Sequence, residues 1–272
     1  GGRTRSRLRR ALAPLAVFAA VLVAWWAVTA ARLVEPLFLP GPAAVWAAFV
    51  RANTCHPVSA GAARTVCGEQ NYFLWEHLLA SLQRIGAGVA AAVVVGVALG
   101  FLMGTVRPLA VVLGPYVSFL RALPPLGYIG LLIVWFGIGD ASKVWLLFIA
   151  AFPPVALATI AGVRGVRTTR IDAARSLGAT RLQVLRHVVA PSALPSIIEG
   201  VRVAVGFAWT TVVAAELNNG IPGIGGLAYI SGTQLQTPLV IACIIVIGLA
   251  AITLDAVITA AGRLLVPWQG RA

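Results

Sequence analysis

The sequence predicts an all-α polytopic membrane protein with six transmembrane helices. Three observations carry that prediction. The 272 residues are 60% hydrophobic and 11% charged, with a mean hydropathy of +0.92, whereas soluble chains run at about 45–50% apolar and about 25% charged. Such a chain cannot cover a soluble domain with polar surface, and its apolar surplus excludes intrinsic disorder. The apolar residues also gather in runs approaching the length, about 20 residues, that crosses a hydrocarbon core. Finally, the arginines cluster between those runs.

The elements follow in order. Residues 1–10 are a basic tail, and its opening Gly1-Gly2 reads as a truncated start or a tag remnant. The apolar run 11–31 exceeds the about 7–15 residues of a signal peptide's apolar region, so it is a first span, with Trp25 and Trp26 as interface anchors. Residues 32–84 are rich in proline, glycine and asparagine and read as an external segment with a short amphipathic helix over 43–50. Cys55 and Cys67 both fall there, 12 positions apart. A disulfide between them can persist outside the cytoplasm and stabilises the fold by about 3 kcal/mol in the chain-entropy model. Cys243, inside an apolar run, reads as an inert buried thiol.

The core spans 85–266. Its second span covers 85–106. A short helix up to Leu123 and a third span ending near Phe136 are separated by Pro124-Pro125, which removes two backbone donors. The fourth span, 144–163, bends at Pro153-Pro154. The polar stretch 164–195 precedes a fifth span over 197–217, with Pro191 and Pro195 expected to stop any helix from running into it. The glycine-rich segment 218–226 reads as a flexible external loop without a phosphate-cradling helix after it. The sixth span covers 238–261, and residues 267–272 form a C-terminal tail.

Charge orients the chain. The net charge is +13. Strongly basic chains can bind nucleic acid, but these arginines flank apolar runs, so no nucleic-acid partner is expected. With both termini inside, fourteen of the twenty arginines fall on the cytoplasmic side. This is the bias that sets membrane orientation, and it places both termini in the cytoplasm.

Catalytic motifs are missing. The sole lysine, Lys143, follows a serine, so the Gly-Lys-Ser/Thr of a P-loop does not occur. Neither does His-Glu-x-x-His. His56 and His77, with Cys55 and Cys67, lack tight ligand spacing, so no metal site is expected. The chain reads as a non-enzyme without a cofactor of its own.

The informative stretch runs from Thr169 through Arg170, Asp172, Ala173, Ala174, Ser176, Leu177, Gly178 and Ala179 to Arg181, and closes at Leu194-Pro195. Thr169 is a plausible N-cap, placing Asp172 in the first turn where the helix dipole favours negative charge. The two alanines allow close approach of a partner, and Gly178 can end the helix left-handed. This stretch resembles the Glu-Ala-Ala loop of binding-protein-dependent ABC importer permeases, with Asp172 in place of the glutamate. Further likenesses to the sulfonate, taurine and nitrate branch lie in Arg121–Leu126, Trp135–Lys143, Ala214–Leu217 and, most similar to taurine permeases, Pro267–Gly270.

The resemblance implies the type I ABC importer permease fold, a homodimer in the lipid bilayer, and an ATPase subunit dimer seated on 170–181. It also implies ATP and Mg held by those partner subunits and an extracytoplasmic substrate-binding protein. The cargo it implies is a small organic anion such as taurine or an alkanesulfonate, with nitrate or an aromatic acid as the alternative. An ion-coupled secondary transporter is the rival from another class. Ionisable groups within spans are costly and point to function. Arg121 and Glu216 are therefore candidates to line the path, with Glu216 equally suited to hydrogen-bond the following loop, and Tyr128, Trp209, Thr210 and Thr211 join them as residues that can present hydroxyls and a ring to a small anion.

Overall fold

The computed structural model describes residues 2–57 and 65–267. Residues 268–272, and with them most of the Pro267–Gly270 likeness, lie outside the described part. The chain forms two compact units, Gly1–Trp75 with Leu227–Val246, and Glu76–Gly226 with Ile247–Ala272.

The first unit opens with α1 (Gly2–Ala30) and α2 (Pro42–Arg51). Proline at the start of α2 costs nothing, because that N–H has no helical partner anyway. Trp25 Nε1 donates to the Pro40 carbonyl at 3.1 Å, pinning the end of α1 to the approach of α2. A small hairpin follows, β1 (Cys55–Pro57) against β2 (Thr65–Cys67), with Cys55 opposite Cys67 in antiparallel register. The structure joins those two cysteines in a disulfide. The Leu74 N–H closes the turn on the Ala52 carbonyl at 3.0 Å. Cys243 is a free, buried thiol.

In the second unit the helices are α3 (Leu74–Thr105), α4 (Arg107–Ala122), α5 (Ile129–Phe136), α6 (Asp140–Arg164), α7 (Thr168–Ser176), α8 (Arg181–Val184) and α9 (Ala190–Glu216). Next come α10 (Ile224–Thr233) and α11 (Thr237–Leu265), both shared with the first unit. Among the described residues, four helical stretches are long and apolar enough to cross a membrane: Leu74–Thr105, Asp140–Arg164, Arg181–Glu216 and Thr237–Leu265. A fifth, shorter apolar stretch is Ala16–Ala30 within α1.

Helix α6 is the centre, with 56% of its apolar window buried against 11% for α11. Its Leu147, Ala151, Val155 and Ala156 pack with Ile85, Val89 and Ala92 of α3 and with Ala204, Ala208 and Val212 of α9. Small residues set the approach distances. A Cβ added at Gly100 of α3 would lie 2.6 Å from the Thr159 Cβ, and one at Gly104 would lie 2.7 Å from the Val163 Cβ. Gly96, Gly100 and Gly104 thus form a stripe at four-residue spacing that lets the two backbones close up. Dispersion replaces the hydrophobic effect as the driving force between helices in lipid, so this spacing matters. Across the other face, Gly200 of α9 meets Ala158 and Pro154 of α6 in the same way.

Four expectations need correction. Helix α3 begins at Leu74, so His77, Ser81 and Arg84 are helical rather than part of an external loop. The expected third span is divided: α4 ends before Pro124-Pro125, and α5 has eight residues, about 12 Å at 1.5 Å per residue, too short to cross alone. Neither Pro191 nor Pro195 stops the fifth span: a π-helical turn at Leu185–Val189 interrupts the regular hydrogen-bond ladder just before Pro191, which falls among the first residues of α9, and Pro195 lies inside that helix. The helix therefore runs on from Arg181 to Glu216. Lastly, the glycine-rich loop leads directly into α10.

The stripe yields a test. Gly100→Val overpacks the α3–α6 contact by about 1–3 kcal/mol and lowers the thermal unfolding midpoint in detergent by several degrees. An unchanged midpoint would contradict the packing.

Candidate coupling segment, path and clamp

The coupling segment is a helix–turn–helix held by local rules. Helix α7 ends at Ser176 with Leu177 as its C-cap, and Gly178 takes φ +84°. The Gly178 N–H bonds the Arg175 carbonyl at 2.9 Å, and the Ala179 N–H bonds the Ala174 carbonyl at 3.1 Å. This pair of bonds is a Schellman ending, which needs a residue free to turn left-handed. Helix α8 then opens on a capping box: the Gln183 N–H donates to Thr180 Oγ1 at 3.4 Å, and the Thr180 N–H donates to Gln183 Oε1 at 2.8 Å. Ile171, Ala174 and Ala179 pack against Val166, Val184 and Val189. The opposite face stays open, with Leu177 89% and Leu182 72% exposed. Arg170, Asp172, Ala173, Ser176 and Arg181 are exposed beside them. Thr169 is not the N-cap, because the helix starts one residue earlier behind Arg167 without a side-chain cap. Asp172 consequently lies beyond the first turn.

A cavity of about 590 Å³ opens between the end of α4, the middle of α6 and α9. Leu120, Pro154, Leu157 and Phe207 are among its apolar lining residues, and Arg121 and Glu199 supply charge. Of the six expected path residues, Arg121 alone lines it. Thr210 is exposed and bonds the Phe207 carbonyl at 2.9 Å, while Thr211 is buried. Tyr128 Oη and Trp209 Nε1 are buried without a hydrogen-bond partner among the described residues.

Glu216 stands apart from this cavity, at the end of α9. Its carboxylate is fully buried and lies 2.6 Å from Arg84 Nη1 of α3, itself 6% exposed. Ser81 Oγ donates to it at 2.7 Å, and the Gly225 N–H donates at 2.9 Å. The Ile224 N–H donates to Ser81 Oγ at 3.0 Å, and the Gly223 N–H to His77 Nδ1 at 3.1 Å. Thus three side chains cap the start of α10, whose first N–H groups have no helical acceptor, and a carboxylate there also suits the helix dipole. On the other side, Arg84 Nε meets Asp140 Oδ1 of α6 at 2.8 Å, and Lys143 Nζ donates to the Asn219 carbonyl at 2.7 Å. Two cations face two anions. The loop expected to be flexible is held at both ends, and a Cβ at Gly220 or Gly223 would collide with the Glu216 residue.

A second ion group ties α9 to α11. Arg202 grips Asp255 through Nε at 3.0 Å and Nη2 at 3.1 Å, and reaches Glu199 at 3.0 Å.

Residues 92–271 match the family described as the binding-protein-dependent transport system inner membrane component. The chain belongs to that family. It is the permease subunit of an ABC importer and a multi-pass membrane protein, which sets aside the ion-coupled secondary transporter.

This permease is 39% identical to the taurine transport system permease protein TauC of Escherichia coli, over 96% of this chain and 91% of the relative. It is 33% identical to the putative aliphatic sulfonates transport permease protein SsuC of Bacillus subtilis, over 72% of this chain and 71% of that one. It is also 33% identical to the bicarbonate transport system permease protein CmpB of Synechococcus elongatus, over 67% of this chain and 66% of that one. The solved structure of an amino acid ABC transporter shares the fold, with a TM-score of 0.54 and 22% identity over 71% of this chain and 92% of its own.

Sequence reading of this permease missed the clamp. Ser81 and Arg84 stand more than 130 positions from Glu216, and His77 as far from Gly223, so no local spacing announces them. The usable signal was the rule that a charge near the membrane needs a counter-charge.

Removing one partner of a buried ion pair costs about 3–5 kcal/mol, whereas replacing both by apolar groups costs far less. Glu216→Ala should therefore destabilise the permease strongly, and Arg84→Met with Glu216→Leu should recover part of the loss, as read by thermal unfolding in detergent. Additive losses would contradict the coupling.

Proposed function

We propose that this permease imports a small sulfonate of the taurine class in an ATP-driven complex. The observation that carries the proposal is the 39% identity to TauC across 96% of the chain. Likeness to the sulfonate permease SsuC supports it.

The subunit works as a homodimer in the cell membrane, with both termini in the cytoplasm. An ATPase dimer docks on the open face of α7 and α8 through Leu177 and Leu182, ringed by Arg170, Asp172, Arg175 and Arg181. Apolar tips in a charged rim suit a partner groove. ATP and Mg are held by those ATPase subunits, because this chain contains no P-loop lysine. A binding protein delivers cargo on the opposite face. ATP binding draws the two ATPases together, the docked helices follow, and the path changes the side to which it opens. Arg121 gives the cavity a fixed positive group for the sulfonate, and the apolar wall fits its short hydrocarbon body.

Reconstitution with the partner ATPase and binding protein tests this reading. ATP-dependent uptake of labelled taurine is expected to exceed that of nitrate. Leu177→Glu should abolish uptake and ATPase co-purification while the subunit still inserts in the membrane. Undiminished uptake by that variant would contradict docking at Leu177. Uptake of nitrate in preference to taurine would overturn the cargo.

A further inference from the structure

The helix that begins in the coupling segment ends in the clamp. Arg181–Glu216 is one helical stretch of 36 residues, about 54 Å at 1.5 Å per residue. The hydrocarbon core is about 30 Å thick, so the two ends emerge on opposite faces of the membrane. At one end the Thr180–Gln183 capping box joins it to α7. At the other, its last residue, Glu216, holds the Gly225 N–H, Ser81 and Arg84. Its closest backbone approaches to α6 along the way are made at small groups, Gly162 against Ala193 and Ser196, and Gly200 against Ala158 and Pro154. Such surfaces permit the small sliding of packed helices that constitutes shear.

We infer that Glu216 is a positioning residue of the transport cycle, delivering displacement of the coupling segment to the 218–225 turn and the start of α10. The inference rests on the proposed ATPase docking. The charge is central to it. A carboxylate grips the start of α10 and Arg84 at once, so the turn follows the end of α9 instead of parting from it. That turn lies on the face where cargo arrives, so arrival of the loaded binding protein is transmitted through the same rod back to the ATPases.

The test uses the reconstituted complex with ATPase and taurine-loaded binding protein. Glu216→Gln keeps the shape and still accepts from Gly225 but loses the charge facing Arg84. It should retain basal ATP hydrolysis to within about twofold while stimulation by the loaded binding protein falls at least tenfold. Ser81→Ala, on the same clamp, should give an intermediate loss of stimulation. Full stimulation of Glu216→Gln overturns the inference. A parallel fall of basal and stimulated hydrolysis, or a complex that fails to assemble, also overturns it, because either marks Glu216 as structural only. If the wild-type complex shows no stimulation, the transport reading itself fails and this inference falls with it.

Discussion

The pairing of Arg84 with Glu216 is the constraint on which the arrangement of this permease depends. A lone charge in an apolar surround is costly, and pairing compensates only when the remaining donors and acceptors also find partners. Here they do. Glu216 takes bonds from Arg84, Ser81 and Gly225, while Arg84 spends its Nε on Asp140. Meeting those requirements together fixes the start of α6 and the end of α9 against the early turns of α3. The start of α10 is then fixed as well, because its N–H groups are among the donors.

Below the clamp α3, α6 and α9 are held to one another by closeness rather than charge. Glycines on α3 and α9 bring both helices against α6, and the apolar cluster of Ile85, Leu147, Val155, Ala204 and Val212 fills the space between them. The two devices are complementary. Small-residue contacts give dispersion but little resistance to sliding, and the ion groups at Glu216 and Arg202 supply discrete attachment points. A helix so held can move along its neighbour and still end in a defined place.

What was legible in the sequence was local. Apolar run length announced the spanning helices, and the turn at Gly178 was readable because a left-handed helix end and the following cap are written within a few residues. Helix α2 was visible over Ala43–Val50 for the same reason. Proline is not a dependable stop signal here: α8 runs on into α9 through a π-helical turn directly before Pro191, and Pro195 lies inside the helix. The clamp was not legible, because Ser81, Arg84 and His77 meet partners that only folding brings near. Glu216 was singled out by its charge, and one of its two readings, bonding to the following loop, is the arrangement found.

The central claim is that this permease receives its driving force through the open face of α7 and α8. The most direct measurement is photo-crosslinking in native membranes, with a photoactivatable amino acid at Leu177, at Leu182, or at Val94 as an exposed control on α3. The account predicts adducts to a P-loop ATPase subunit from Leu177 and Leu182 and none from Val94. Adducts lacking an ATPase at the first two positions, or equal yields at all three, would contradict it.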